Sequence, residues 1–249
     1  MSPIISDRQQ RILALVVQDY VDTAQPVGSL ALVRRHGLSV SAATVRNELA
    51  ALEDLGYLMH PHTSAGRVPT VSGYRYFVEH LMRRAELRHR ERRTIRHQFH
   101  QAGLDPERWL KLSAAVMART SGVAGLVVAQ PDPDRERERY HAGLVQILYQ
   151  PEFADNDRLR SVVELLEHGR GLDPIARRLP PDGVQVIIGG EPPLEQVPYM
   201  TLVLSRFGLP ETSGVLGVVG PTRLAYERAV PAVGFMARLM TRLMAGEAV

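Results

Sequence analysis

Residues 39–56 read Ser39-Val40-Ser41-Ala42-Ala43-Thr44-Val45-Arg46-Asn47-Glu48-Leu49-Ala50-Ala51-Leu52-Glu53-Asp54-Leu55-Gly56, and this stretch decides the fold of the first part of the chain. Val45, Leu49, Leu52 and Leu55 recur at i, i+4, i+7 and i+10, the apolar stripe of a short helix. Ser39 or Ser41 can cap its start and Gly56 its end. With Val45 turned to a core, a step of about 100° per residue sends Ala43, Arg46, Asn47 and Ala50 outward and leaves Thr44 at the border. Small residues let a helix approach closely, while Arg reads guanine and Asn reads adenine in bidentate fashion in the major groove. The same residues also suit a plain solvated face, because helix-turn-helix look-alikes occur in many small α proteins.

The flanks point one way. Upstream, Ser6-Asp7-Arg8-Gln9 has the form of a capping box, followed by Ile12, Leu13, Val16, Val17 and Tyr20 at helical spacing. Gln25-Pro26 breaks that helix, and a second one is expected from about Ser29 to Arg35, closed by Gly37. Three short helices with a Gly-containing turn before the third make a helix-turn-helix. Downstream, the extended runs 57–60 and 67–70 flank a Ser/Gly-rich tip and read as a hairpin wing. His62 and Arg67 would border the tip, where Ser64 and the exposed N–H of Gly66 can donate to phosphate. The candidate DNA contacts are therefore Ser41, Ala43, Thr44, Arg46, Asn47, His62, Ser64, Gly66 and Arg67. His60 and His62 alternate on a strand, but no third ligand is near, so no metal site is expected.

Composition supports a nucleic-acid reader joined to something else. The 249 residues carry 30 basic and 27 acidic side chains, a net charge of +3, with a pI near 9.4. The first hundred residues hold 14 arginines against nine acids, the remainder 16 basic against 18 acidic side chains. All basic residues except Lys111 are arginines, whose planar fork suits phosphate oxygens. A hydrophobic fraction of 45% excludes wholesale disorder. The absence of cysteine excludes disulfides, thiolate nucleophiles and Cys-ligated zinc. No basic segment precedes an apolar run at the start, and no apolar stretch approaches about 18 residues, so a cytoplasmic protein is expected.

The motifs Pro26-Val27-Gly28-Ser29, Ala43-Thr44-Val45-Arg46-Asn47-Glu48-Leu49-Ala50, Leu52-Glu53-Asp54-Leu55-Gly56, Pro61-His62-Thr63-Ser64-Ala65-Gly66-Arg67-Val68-Pro69-Thr70 and Gly73-Tyr74-Arg75 resemble the N-terminal domain of the bacterial heat-inducible transcription repressor family HrcA. Later blocks, Pro151-Glu152-Phe153, Ile188-Gly189-Gly190-Glu191 and Gly214 to Tyr226, resemble the C-terminal part of that family in the same order. The resemblance implies a winged helix that represses chaperone operons such as groESL and dnaK from an inverted-repeat operator, as a homodimer relieved on heat stress. It also implies a GroEL-type chaperonin as co-repressor and a GAF-like second domain. Members usually carry a dimerisation domain inserted in that second domain. Here Gln130 is followed by the short charged run Pro131-Asp132-Pro133-Asp134-Arg135-Glu136-Arg137-Glu138-Arg139 before Tyr140, so the insertion is missing and dimerisation falls to the GAF-like sheet or the terminal helix. A two-fold operator requires a two-fold protein.

The second part reads as α+β. A helix starts at Asp105-Pro106-Glu107 and ends near Gly122. Strand-like runs follow at 124–129, 143–149, 184–188, 200–207 and 215–219, with helices near 157–167 and 174–179. A last helix after Gly220-Pro221 carries Met236, Met240 and Met244 on one stripe, and Pro231 should kink or split it. The expected order is a winged helix over 1–75, an Arg-rich connecting helix over 76–103 and a GAF-like antiparallel-sheet domain over 104–249. Seven arginines fall between Arg83 and Arg96. They fit either phosphate contact or a solvated helix offset by Glu79–Arg83 and Glu86–Arg90 pairs. No catalytic constellation or phosphate loop recurs, and Glu191 and Arg223 read as turn residues. The expectation is a DNA-binding repressor, not an enzyme, needing no cofactor. The alternative is a winged-helix regulator whose GAF-like part senses a small molecule. Heat could act on the chain's own stability or through the chaperonin.

Overall fold

The computed structural model describes residues 5–61, 66–82, 86–129, 137–169, 171–209 and 212–247. Contacts divide the chain into Met1–Arg83 and Arg84–Val249.

In the first unit, α1 (Asp7–Thr23) opens on the capping box, with Ser6 Oγ accepting from the Gln9 backbone and the Gln9 side chain reaching back to Ser6. α2 (Ser29–His36) ends at Gly37, whose φ of +57° suits a residue without Cβ. α3 (Ala42–Asp54) starts at Ser41, which accepts from the Thr44 amide, so Ser41 rather than Ser39 is its cap. It closes in a Schellman turn: Tyr57 N–H donates to the Leu52 carbonyl and Gly56 N–H to the Glu53 carbonyl. Strands β1 (Leu58–Met59) and β2 (Val68–Pro69) pair antiparallel, and Val27 bridges to Arg67 on the far side of β2. α4 (Val71–Tyr76), capped by Thr70, runs into one π turn over Phe77–Leu81. The core is the buried set Leu13, Val16, Leu32, Val45, Leu52 and Phe77. This is a winged helix-turn-helix.

The second unit begins with α5 (His89–Gln101) and α6 (Pro106–Ser121). A five-stranded antiparallel sheet follows in the order β4-β3-β7-β6-β5, built from β3 (Ala124–Ala129), β4 (Glu138–Ala142), β5 (Val184–Ile187), β6 (Met200–Leu209) and β7 (Thr212–Pro221). α6 and α10 (Tyr226–Met244) cover one face. The contact is close enough that a Cβ at Gly125 of β3 would meet the Ala114 carbonyl of α6. Between β4 and β5 run α7 (Leu144–Leu148), α8 (Asn156–His168) and α9 (Leu172–Arg178). The whole chain is α+β, and the sheet with helices on its faces is the GAF-like arrangement expected.

Four expectations need correction. The run 143–149 is not a strand: β4 lies just before it, Gly143 turns the chain at φ +82°, and Leu144–Leu148 is helical. Short apolar runs do not distinguish the two states, and here Val145, Leu148 and Tyr149 stay exposed rather than filling a sheet face. The stretch 76–103 is not one helix: Met82 has extended backbone at the end of the π turn and Arg88 is extended before α5. Glu86 pairs with Arg92 at 2.8 Å rather than with Arg90, and Glu79 lies 3.7 Å from Arg75; Arg83 lies outside the described residues. Finally, α10 is not split: it runs continuously from Tyr226 to Met244 with Pro231 inside it. Buried Ala229, Ala232, Val233 and Phe235 hold both sides of the proline, and Met236 and Met240 are core.

Candidate nucleic-acid interface

The face of α3 follows from its buried stripe. Val45, Leu49 and Leu52 are buried, and Ala43, Arg46, Asn47 and Ala50 are exposed, with Thr44 at the border. Arg46 has no hydrogen bond or ion pair among the described residues. At the N-terminal end the Ser41 and Thr44 hydroxyls lie 3.0 Å apart, while Ser41 Oγ also receives the Thr44 amide. Both side chains thus sit at a helix start, where unpaired backbone N–H groups and the helix dipole favour an anion.

α3 is held in place by charges that spacing alone does not reveal. Arg8 of α1 donates through Nε to Glu48 at 2.6 Å, across a separation of 40 residues. Asp19, 4% exposed, lies 2.9 Å from His36 Nε2, which can donate to its Oδ1, and pairs by charge with Arg35 Nη1 2.9 Å from its Oδ2, tying α1 to α2. Sequence reasoning missed these clamps, and also Arg11 and Arg34, both exposed and without an ion pair among the described residues.

The wing differs from its expected role. His62 and Ser64 lie outside the described residues. Gly66 is buried rather than offering an exposed N–H: a Cβ there would lie 2.6 Å from the carbonyl carbon of Pro26. Its lack of a side chain lets the wing close onto the Pro26-Val27 segment. Arg67 is not a free cation. Its Nε lies 2.7 Å from Glu53 Oε2, off the N–H axis, and its Nη1 lies 2.9 Å from His60 Nδ1. His60 Nδ1 can accept from Arg67 or donate to the Gly66 carbonyl 3.0 Å away, and its tautomer selects one. Arg67 therefore fastens the wing to the end of α3.

The charge asymmetry is also relocated. Met1–Arg83 holds eight arginines and seven acids, so the basic excess of the first hundred residues lies on and just before α5, in the second unit. A nearly balanced reader leaves its few unpaired arginines to set the local field.

Elsewhere, Glu191 accepts from the Ile188 amide and Arg223 pairs with Glu152 and Gln150, so both hold turns. Among the described residues no helix is long and apolar enough to cross a membrane, and no cluster of His, Cys, Asp or Glu could hold a metal ion.

Comparison with known proteins agrees with the architecture. The family model of the HrcA protein C-terminal domain matches residues 84–230. The heat-inducible transcription repressor HrcA of Roseiflexus castenholzii is 37% identical, with 98% of this chain and 96% of that protein covered. Those of Chloroflexus aurantiacus and Geobacter sulfurreducens are 36% and 30% identical, covering 98% of this chain and 95% and 99% of theirs. The Roseiflexus alignment runs over 344 positions against 249 residues here, so that relative carries a long stretch with no counterpart in this chain. The crystal structure of a hypothetical protein at 2.2 Å shares the fold, with TM-score 0.80 and 18% identity over 98% of this chain and 99% of that one. The relatives are transcription repressors by name, which favours a repressor over a regulator defined by a metabolite. With the family matched across the second unit and close relatives matched along nearly the whole chain, this protein belongs to the HrcA family of heat-inducible transcription repressors.

Proposed function

We propose that this chain represses heat-shock chaperone operons such as groESL and dnaK in the bacterial cytoplasm, with α3 seated in the major groove of an inverted-repeat operator. The observation that carries the reading is Arg46 beside Asn47, exposed on a helix whose opposite face is locked into the core. Arg46 and Asn47 read bases, while Ala43 permits close approach and Ser41 and Thr44 meet a phosphate at the helix start. His62 and Ser64 of the wing tip meet the flanking backbone, and Gly66 and Arg67 hold the wing at the angle that allows it.

Two copies act on the two half-sites, since an inverted repeat is read by a two-fold dimer. A GroEL-type chaperonin serves as co-repressor, as the family resemblance implies, and the chain has no enzymatic role. Footprinting on its own chaperone promoters, with and without chaperonin and across a temperature series, tests the reading. Protection of an inverted repeat that fades on heating is expected; an unprotected promoter overturns the assignment. Sedimentation in the presence of operator tests the dimer, and a strictly monomeric complex refutes it.

A further inference from the structure

On the sheet face turned away from α6 and α10, register aligns Val128 of β3, Val215 of β7 and Arg206 of β6 in one row across three neighbouring strands. Leu204, two residues along β6 from Arg206, shares that face. α9 lies over the row through Leu172 and Ala176, and a cavity of about 120 Å³ opens to solvent between them. Its floor is apolar and its charged lining is cationic. Arg206 is pinned, with Nε donating to the Leu179 carbonyl at 3.0 Å and Nη2 to the Ala176 carbonyl at 2.6 Å. Its Nη1 has no partner among the described residues. Arg177, in the last turn of α9, lines the same hollow and has no ion pair among the described residues. Among the described residues no carboxylate lines it.

Capping the end of α9 accounts for two of the guanidinium nitrogens of Arg206. It leaves unexplained the apolar row beneath and also Arg177, one of the two further arginines, with Arg137, on the lining. A half-buried cation is expected to have an anion or enough carbonyls around it, and the two carbonyls here occupy only one side of the fork. A preformed hollow with apolar walls and a few convergent polar groups is the usual form of a ligand site. An apolar protein cavity of about 150 Å³ takes up benzene; at about 120 Å³ this hollow takes a short chain or part of a ring, the rest of the ligand lying in its open mouth. A carboxylate presents two oxygens to a guanidinium edge, the geometry that arginine prefers.

We propose that this hollow binds a small organic carboxylate, its oxygens on Arg206 Nη1 and Arg177 and its apolar body on Val128, Val215 and Leu204. The site lies within the second unit, and its occupancy is measured without DNA. The experiment is calorimetric titration of the full-length protein with benzoate, cyclohexanecarboxylate and hexanoate, and with benzamide as the uncharged match to benzoate. At least one carboxylate is expected to saturate a single site, with benzamide binding at least about tenfold more weakly. Arg177→Gln, an exposed substitution, should weaken the carboxylate by about tenfold, and Val215→Phe should fill the hollow and abolish binding. Arg206→Gln also releases α9, so its melting curve is recorded beside its titration, and Arg177→Gln is the deciding variant. Saturation by none of the three carboxylates, equal binding of benzamide and benzoate, or undiminished binding to either Arg177→Gln or Val215→Phe overturns the proposal.

Discussion

Arg46→Ala separates what α3 reads from what holds it. Arg46 is exposed, and Val45 and Leu49 remain buried without it. Replacement by the strongest helix former should leave folding stability within about 0.5 kcal/mol, so a change in operator affinity reports the contact itself. A bidentate arginine–guanine contact is worth about 1–3 kcal/mol, which is roughly 5- to 150-fold in Kd. An arginine bound only to phosphate would instead weaken every sequence alike and reduce the salt slope by about one. Fluorescence anisotropy over a salt series distinguishes these, using one duplex with the inverted repeat and one with it shuffled. The operator affinity should fall by the stated factor, with the salt slope kept and the shuffled duplex unaffected. The reasoning fails if Arg46→Ala binds the operator as tightly as the parent, or loses the same factor on both duplexes.

Asn47→Ala should lose a comparable factor at a different base pair, read as relaxed specificity in a mutated-operator panel. Arg67→Ala and Glu53→Gln should each weaken operator binding, and less than additively together because they break one fastening; tighter binding by Glu53→Gln would show that Arg67 serves phosphate instead. Gly66→Ala pushes a methyl into the Pro26 backbone and should cost about 1–3 kcal/mol in thermal unfolding. A melting curve indistinguishable from the parent would refute the close approach. The Tyr140 phenol is pushed up to about 12, first by burial and then by its hydrogen bond to Glu138. It should stay protonated at pH 11 in ultraviolet titration, and Glu138→Gln should lower its pKa only part of the way to 10 because burial remains.

The parts of this chain that were legible in its sequence are those fixed by neighbours a few residues away. The stripe Val45, Leu49, Leu52, the capping box at Ser6 and the Asp105-Pro106 helix start all depend on local spacing. Gly66 and Arg67 were misread because their environment comes from afar: Pro26 lies 40 positions before Gly66 in the chain, and Glu53 is reached only after the wing folds back. The same holds for Arg8 with Glu48. The run 143–149 failed for another reason. Its apolar residues suit a strand as well as a helix, and what settles the matter is that β4 already occupies the edge beside β3.

The junction between β3 and β4 has a further consequence. Their ladder runs from Gly125 opposite Ala142 to Ala129 opposite Glu138, with residues 130–137 joining the two ends. The short charged run 131–139 falls at this junction. Ends of adjacent antiparallel strands lie about 5 Å apart, the spacing at which a folded module can be spliced into a host without shifting its register. Loss or gain of a whole module at this point therefore leaves the pairing of the host sheet intact. The chain can serve as a ready recipient: an unrelated domain whose termini lie close together should be accepted between Ala129 and Glu138, with both partners keeping their own folds.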